Sequence, residues 1–423
     1  MADARIDRIR AQARALGVDA VVLTNPYDVL YASGYNSILE RWWLQEPVSG
    51  VVVPTDPARP VMLVIPEANV ALLAVMAERG TPDRAEEIRP FELLNFCEVG
   101  RAEDPHYRPG AIAEAALGIF RERVRGASQP DLIEALRLAL RDHGLAAGSI
   151  AFDDLRVARY LTRGSDRLAC SVEDALDLMI RARVVKTAEE LAVFRRIGAK
   201  ADLAVQGAAE RLRPGITWDE FQCEVADLMT RAGLNPVDEG ALLFGGAFAG
   251  EFIPELFRTR HDRPLETGQI VILETLGTCE DFWIDINRTA VIGEPKPEYQ
   301  RLHDIVRDAY LMMIDAMRPG VSTGVLGRIG LEHLREKGVS APEKLLVMAH
   351  GVGHMPVELP IPFPANGIAG ARGFTLEEGM VVSVDCLYFG SQYGPCHMEN
   401  VYIIGDGGAE CTYQTPLELL GPR

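Results

Sequence analysis

The chain lacks three things whose absence narrows its function: a bilayer-length apolar run, a close cysteine pair, and enough positive charge to balance its acids. A transmembrane helix needs about 20 consecutive apolar residues, and no stretch of the 423 residues approaches that. The seven cysteines, at 97, 170, 223, 279, 386, 396 and 411, form no CxxC and are odd in number. That pattern argues against a disulfide framework and fits a reducing compartment, with Cys386 and Cys396 read as small buried hydrophobes. Forty-three Lys plus Arg face 61 Asp plus Glu, a net charge of -18. A surface so acidic repels phosphate backbones and anionic lipid heads, so neither nucleic acid nor membrane is an expected partner. The opening MADARIDRIRAQARALG is charged and amphipathic, with Ile6, Ile9 and Leu16 on one side, unlike a signal peptide. These features predict a cytoplasmic protein acting on a small molecule.

The length suggests two domains, divided here as 1–175 and 176–423. In the first, DAVVLTNP, VLYASGY, SGVVVP and VMLVIP are short apolar runs punctuated by Gly, Pro or Asn and mixed with helical patterns, which predicts an α/β domain. The stretch from Ser171 to about Leu212 carries helical spacing with a break near Val184 to Thr187. Further on, Arg213-Pro214-Gly215-Ile216-Thr217 returns 105 residues later as Arg318-Pro319-Gly320-Val321-Ser322, each copy leading into a helical pattern. The hydroxyl residue suits a helix cap in both copies. An internal repeat of helix plus strands is expected in this half.

Five side chains spread over 126 positions dominate that half: Glu274, Asp285, His350, Asp385 and Glu399. They sit in VILETL, WIDINRT, MAHGVGH, MVVSVD and HMENVYII, where strand periodicity calls for burial. A buried carboxylate without a partner is driven towards neutrality. Four of them beside one imidazole call for a cation. Such an oxygen-rich set suits one or two divalent ions of Mn, Fe, Co or Zn rather than thiolate-held zinc.

The same residues carry a resemblance. RARVVKTAEEL at 181–191, DRPLETGQIVILETLG, DINRTAVIG, AHGVGHMPVELP, LEEGMVVSVD and HMENVYII resemble, in order and spacing, the motifs of the pita-bread (M24) metallohydrolases in the prolidase, aminopeptidase P and creatinase branch. The resemblance implies an α/β N-terminal domain joined to an α+β pita-bread domain with an internal pseudo-twofold repeat. It also implies a homodimer whose small domain reaches towards the partner's active site. In the site, Asp285 would bridge two ions, His350 would hold one, and Glu274, Asp385 and Glu399 would complete the shell.

Against that pattern the chain departs at several places. Glu274 stands where the family carries Asp, and Asp385 where it carries Glu, so charge is kept while reach is redistributed. Two substrate histidines of the family fall on Phe257 and Val357, and an Arg two residues before the last ligand is His397. His354, His397 and Glu358 remain as candidates for proton transfer, with His261 a further one. In the small domain, Arg41, Trp42 and Trp43 are candidate substrate contacts at the place where related small domains approach a pocket.

The expected activity is therefore metal-dependent cleavage of a carbon–nitrogen bond in a small non-peptide or modified-peptide substrate, by an enzyme that is not a standard peptidase. The alternatives are an Xaa-Pro dipeptidase or aminopeptidase, a metal-dependent lyase of the dimethylsulfoniopropionate-lyase type, and a metal-free creatinase-like hydrolase or binding module.

Overall fold

Unbroken apolar runs become strands buried on both faces. The computed structural model describes residues 3–42, 45–78, 80–81, 83–93, 111–236, 263–358 and 373–422. It divides into two units, Met1–Arg183 and Val184–Arg423. In the first unit β1 (Ala20–Leu23), β2 (Gly50–Pro54), β3 (Met62–Pro66), β4 (Glu87–Phe91), β5 (Ser149–Phe152) and β6 (Ser171–Asp174) form a mixed sheet in the order β4-β3-β2-β1-β5-β6. Side chains alternate between its faces. Val21, Leu23, Val51, Val53, Leu63 and Ile65 pack with Ile6, Ile9 and Ala13 of the first helix on one side. Ala20, Val22, Val52, Met62 and Val64 pack with Leu132, Leu136 and Leu140 of the helix Leu132–Asp142 on the other. Helices on both faces explain why these strands read as continuous hydrophobe.

Three local expectations are corrected. Leu16 is 45% exposed, and Ala13 takes its place on the buried face of the first helix. Ser171–Asp174 is an exposed edge strand, paired in parallel with β5, where helical spacing had suggested helix. The helix Leu176–Val184 buries Leu178, Met179 and Ala182 in the N-terminal core, so the two units part after Arg183 rather than at 175/176. The break near Val184 to Thr187 is present. Thr187 starts the next helix, Ala188–Arg211, with a capping box that includes Glu190.

The second unit is built on β7 (Ile270–Cys279), β8 (Phe282–Val291), β9 (Leu345–Gly351), β10 (Val381–Tyr388), β11 (Cys396–Gly405) and β12 (Gly408–Cys411). They pair antiparallel in the order β7-β8-β11-β10-β9, with β12 on β11. The internal repeat is visible in the backbone. Gly215 and Gly320 both have φ 87°, a left-handed conformation that favours glycine. The Gly215 amide donates to Leu265 O and the Gly320 amide to Leu376 O, each at 2.8 Å. The caps differ: Thr217 forms a capping box with Glu220, while the helix Gly324–Glu336 has no side-chain cap from Thr323.

His303, inside the helix Pro297–Asp315, is fully buried and neither ring nitrogen has a hydrogen-bond partner among the described residues. Burial, reinforced by Arg307 and Arg288, lowers its pKa to about 3. The unfolded chain protonates at the ordinary value of about 6.5, so this group's contribution is intact above that pH and is lost as pH falls towards 3. The slope is about 1.4 kcal/mol per pH unit within the window. His303→Leu should flatten the acid limb of a Tm-against-pH curve between pH 6.5 and 4.5 and cost nothing at pH 7.5. An unchanged acid slope would show that His303 does not drive acid sensitivity.

Candidate metal centre

Alternation on the second sheet separates its apolar and charged residues. Val271 and Leu273 of β7 and Ile284 and Ile286 of β8 pack with Phe194, Ala201, Phe221 and Val225 of the helices Ala188–Arg211 and Trp218–Arg231. Val382, Val384 and Cys386 of β10 and Met398, Tyr402 and Ile404 of β11 pack with Val306, Tyr310 and Leu326 from the helices Pro297–Asp315 and Gly324–Glu336. The intervening positions, among them Glu274, Asp285, Asp385, His397 and Glu399, therefore share the opposite face. Cys386 and Cys396 lie in the apolar core, where burial pushes the Cys396 thiol up to about 12.

On that face the side chains converge. His350 Nε2 lies 3.4 Å from Asp385 Oδ2 and 3.7 Å from both Asp285 Oδ2 and Glu399 Oε1. His350 Nδ1 is 3.1 Å from Gly351 O; a carbonyl only accepts, so Nδ1–H donates and Nε2 is the atom turned to the carboxylates. His397 Nε2 lies 3.1 Å from Asp385 Oδ1 and 3.8 Å from Glu399 Oε2, and its Nδ1 is 4.0 Å from Glu274 Oε2. Among the described residues, two sets of donor atoms are close enough to hold an ion, Asp285–His350–Glu399 and Asp385–His397–Glu399, each with its atoms within 4.8 Å of one another. Glu274 lies beside the second set and keeps 17% side-chain exposure.

Burial raises the pKa of Glu274 and Asp285 well above the carboxylate range, and the charges of Glu399 and Asp385 add to it. Glu399 is raised for the same reasons, burial first and Asp385 next. Asp385 runs the other way: burial would raise it, but the adjacent imidazoles of His350 and His397 hold it well below the usual range. Burial works against charge on His350 too, yet Asp385 and Glu399 raise it well above the ordinary imidazole value. Four acids in one buried site resist sharing so much negative charge, and a divalent ion held by them and by His350 would resolve the conflict. Among the described residues, Asp385 Oδ2, Glu399 Oε2 and His397 Nδ1 are buried with no hydrogen-bond partner. Buried polar atoms are ordinarily satisfied. Hard oxygens, imidazole nitrogens and orphaned buried donor atoms together fit a divalent transition-metal ion.

Several supporting residues escaped the sequence reading. Ser383 donates to Glu399 Oε1 at 2.7 Å, Asn287 Nδ2 to Glu274 Oε2 at 3.3 Å, and the Asp285 amide to Tyr413 Oη at 3.0 Å. Arg288, only 1% exposed, donates to the carbonyls of Asn287, Glu399, Thr415 and Pro416 and to Asn400 Oδ1. It ties β8 to β11 behind the carboxylates. A lone Arg within the apolar run WIDINRTAV was the available signal.

The other candidates land as follows. His354 is buried, stacks on Phe282 with ring centroids 4.5 Å apart, and donates from Nδ1 to Asp281 O at 2.8 Å. Glu358 is buried, accepts from the amides of His354 and Met355, and pairs with Lys186 Nζ at 3.2 Å. Val357 is 45% exposed. Arg41 and Trp42 belong to the short helix Ile38–Trp42, but their side chains, and all of Trp43, Phe257 and His261, lie outside the described residues.

An antiparallel sheet with an inward face of carboxylates and imidazoles defines a metallohydrolase of pita-bread type. The description of metallopeptidase family M24 matches residues 192–406, and that of the creatinase/prolidase N-terminal domain matches residues 5–185. The chain belongs to metallopeptidase family M24. Over 408 residues, 96% of this chain and 92% of the relative, it is 26% identical to Probable dipeptidase PepE of Mycobacterium tuberculosis. It is also 26% identical over 244 residues to the Xaa-Pro dipeptidase of Pyrococcus furiosus, covering 58% of this chain and 67% of that one. Among solved structures, the prolidase of Pyrococcus horikoshii superposes with a TM-score of 0.71 at 18% identity, over 99% of this chain and 100% of that chain. Dipeptidase PepE of Mycobacterium ulcerans gives 0.68 at 23% identity, over 98% and 96%. The fold is theirs. The relatives' names favour the Xaa-Pro peptidase alternative and lend no support to the expected non-peptide substrate or to an enzyme outside the standard peptidases. No described helix is long and apolar enough to cross a membrane.

Proposed function

We propose that the protein is a metal-dependent dipeptidase that hydrolyses the amide bond of Xaa-Pro or related dipeptides. The observation that carries this reading is the buried convergence of Asp285, His350, Asp385 and Glu399, with Glu274 at its edge, in a chain alignable with a dipeptidase over 96% of its length. Asp285, His350 and Glu399 would hold one ion, and Asp385 and Glu399, with Glu274 adjacent, a second. The chemistry supplied by ions held there would be acidification of a water and polarisation of the scissile carbonyl. The protein's part is to fix the donors. The Nδ1–H bond to Gly351 selects the His350 tautomer, Ser383 orients Glu399, and Asn287 restrains Glu274. Glu358, engaged by Lys186 and two amides, would act as a positioning residue for the turn after His350, one of the two roles its place in the sequence allows, the other being proton transfer. His354 braces the same turn and is the candidate for handling the leaving amine's proton.

A second reading, an amide in a modified or non-peptide substrate, is favoured by one observation. Val357 is exposed where the resemblance places a substrate histidine, and His397 replaces an Arg. Protein loaded with Mn, Co, Fe or Zn and offered Xaa-Pro dipeptides, other dipeptides, cyclic amides and β-substituted propionates separates the readings. Turnover of dipeptides, abolished by chelator, is the expected result. Turnover of cyclic amides alone would select the second reading, and release of an alkene from the propionates would select a lyase.

A further inference from the structure

We infer that His397 is a sixth metal donor, so that each of two cation positions carries its own imidazole. This rests on the metal-centre reading above and extends it to a residue that the five-group set omits.

Sheet register is the first support. Gly268 and Gly379 both have φ 84° and each precedes its strand's acid, Glu274 or Asp385, by the same spacing. Across the neighbouring strand Glu274 faces Asn287 and Leu276 faces Asp285. In the other repeat Asp385 faces Glu399 and Leu387 faces His397. His397 is thus the repeat counterpart of Asp285, and the alternation that aims Asp285 inward aims His397 inward from the other side.

Geometry is the second. The His397 ring meets carboxylates from three strands: Asp385 at 3.1 Å, Glu399 at 3.8 Å and Glu274 at 4.0 Å. Glu399 divides its oxygens, with Oε1 3.7 Å from His350 and Oε2 3.8 Å from His397. The two donor sets therefore share Glu399 and differ in their imidazole.

Unsatisfied atoms are the third. His397 is 2% exposed, and its Nδ1, Asp385 Oδ2 and Glu399 Oε2 are all buried without hydrogen-bond partners among the described residues. An imidazole that served only as a counter-charge would leave Asp385 Oδ2 and Glu399 Oε2 orphaned, and both belong to residues of the donor set that includes His397. A guanidinium at this place can neutralise acids but cannot ligate, whereas an imidazole can do both. A second nitrogen donor also moves the site away from Mn, which prefers oxygen, towards Zn, Co or Fe.

The test loads wild type, H397A and H397R with Co or Zn, counts ions by mass spectrometry, measures affinities by calorimetry, and counts imidazoles per metal by X-ray absorption. Two ions per chain with one imidazole per metal on average are expected in wild type. In both variants one ion should remain tight while the other loses at least about 10-fold in affinity, the lower end of what even an outer-shell change costs. Two ions in wild type with one imidazole shared between them, and H397R binding both as tightly, would make His397 a charge partner and overturn the inference while leaving the dipeptidase reading intact. No binding of either ion by wild type would overturn both. The imidazole count needs no variant, so it stands even if H397A folds poorly.

Discussion

Asp285→Asn should abolish uptake of the ion that Asp285 would hold with His350 and Glu399, and hydrolysis with it, with kcat/KM reduced by about 1,000-fold or more, the several kcal/mol that metal polarisation supplies. Asn keeps the shape of Asp but cannot carry the charge, and Asp285 is 3% exposed with His350 Nε2 3.7 Å away. The substitution should not harm the fold. Burial and the neighbouring acids raise the Asp285 pKa well above its ordinary value, so removing that charge relieves repulsion in the metal-free protein. The expected signature is a metal-free Tm equal to or above wild type, combined with loss of the Tm increase that a tightly bound ion confers. Wild-type metal stoichiometry with full activity in the variant would refute the metal centre. A lowered metal-free Tm would instead mean that Asp285 is a structural acid.

The second large effect lies away from the donors. Gly198→Ala should destabilise by about 3 kcal/mol or more, at the upper end of what overpacking costs, although Gly→Ala inside a helix ordinarily gains up to about 1 kcal/mol. The sign reverses because a Cβ at Gly198 would collide with the carbonyl of Thr412. That carbonyl cannot retreat easily. The Thr412 amide and hydroxyl both donate to Val401 O, at 3.1 and 3.0 Å, and Val401 is two residues from Glu399 on β11. Gly118, in the helix Ala111–Arg123, has nothing within 4 Å of an added Cβ and serves as the control, where Ala should stabilise. Denaturant unfolding of both variants checks the contrast; equal and positive effects would show that the close approach at Gly198 is not constraining.

Much of the fold was legible because its signals are local. The apolar runs of β1, β2 and β3 announced an α/β domain, and the break near Val184 to Thr187 is where one helix gives way to the next. The paired Arg-Pro-Gly turns announced an internal repeat, since the left-handed conformation at Gly215 and Gly320 requires glycine. Ser171–Asp174 misled because an edge strand with four exposed residues has no burial pattern to display, and its pairing with β5 is a distant choice.

The candidate donors were legible in the chain: acids inside apolar strands are too costly to bury without a purpose, and that holds before any contact is known. Their division into two sets was not. Which oxygen meets which imidazole depends on the register that sets Asp385 opposite Glu399, Glu399 opposite Asn287 and Leu387 opposite His397. Register is decided when two faces of a sheet must be buried at once, and a slip of one residue would turn every donor to the wrong side. Arg288, Ser383 and Tyr413 likewise gained their roles only when distant segments met behind the site. Composition and periodicity determine that this chain carries a buried acid–imidazole centre; long-range strand pairing alone decides that His397 joins it, because proximity across a sheet is settled by packing of the whole unit.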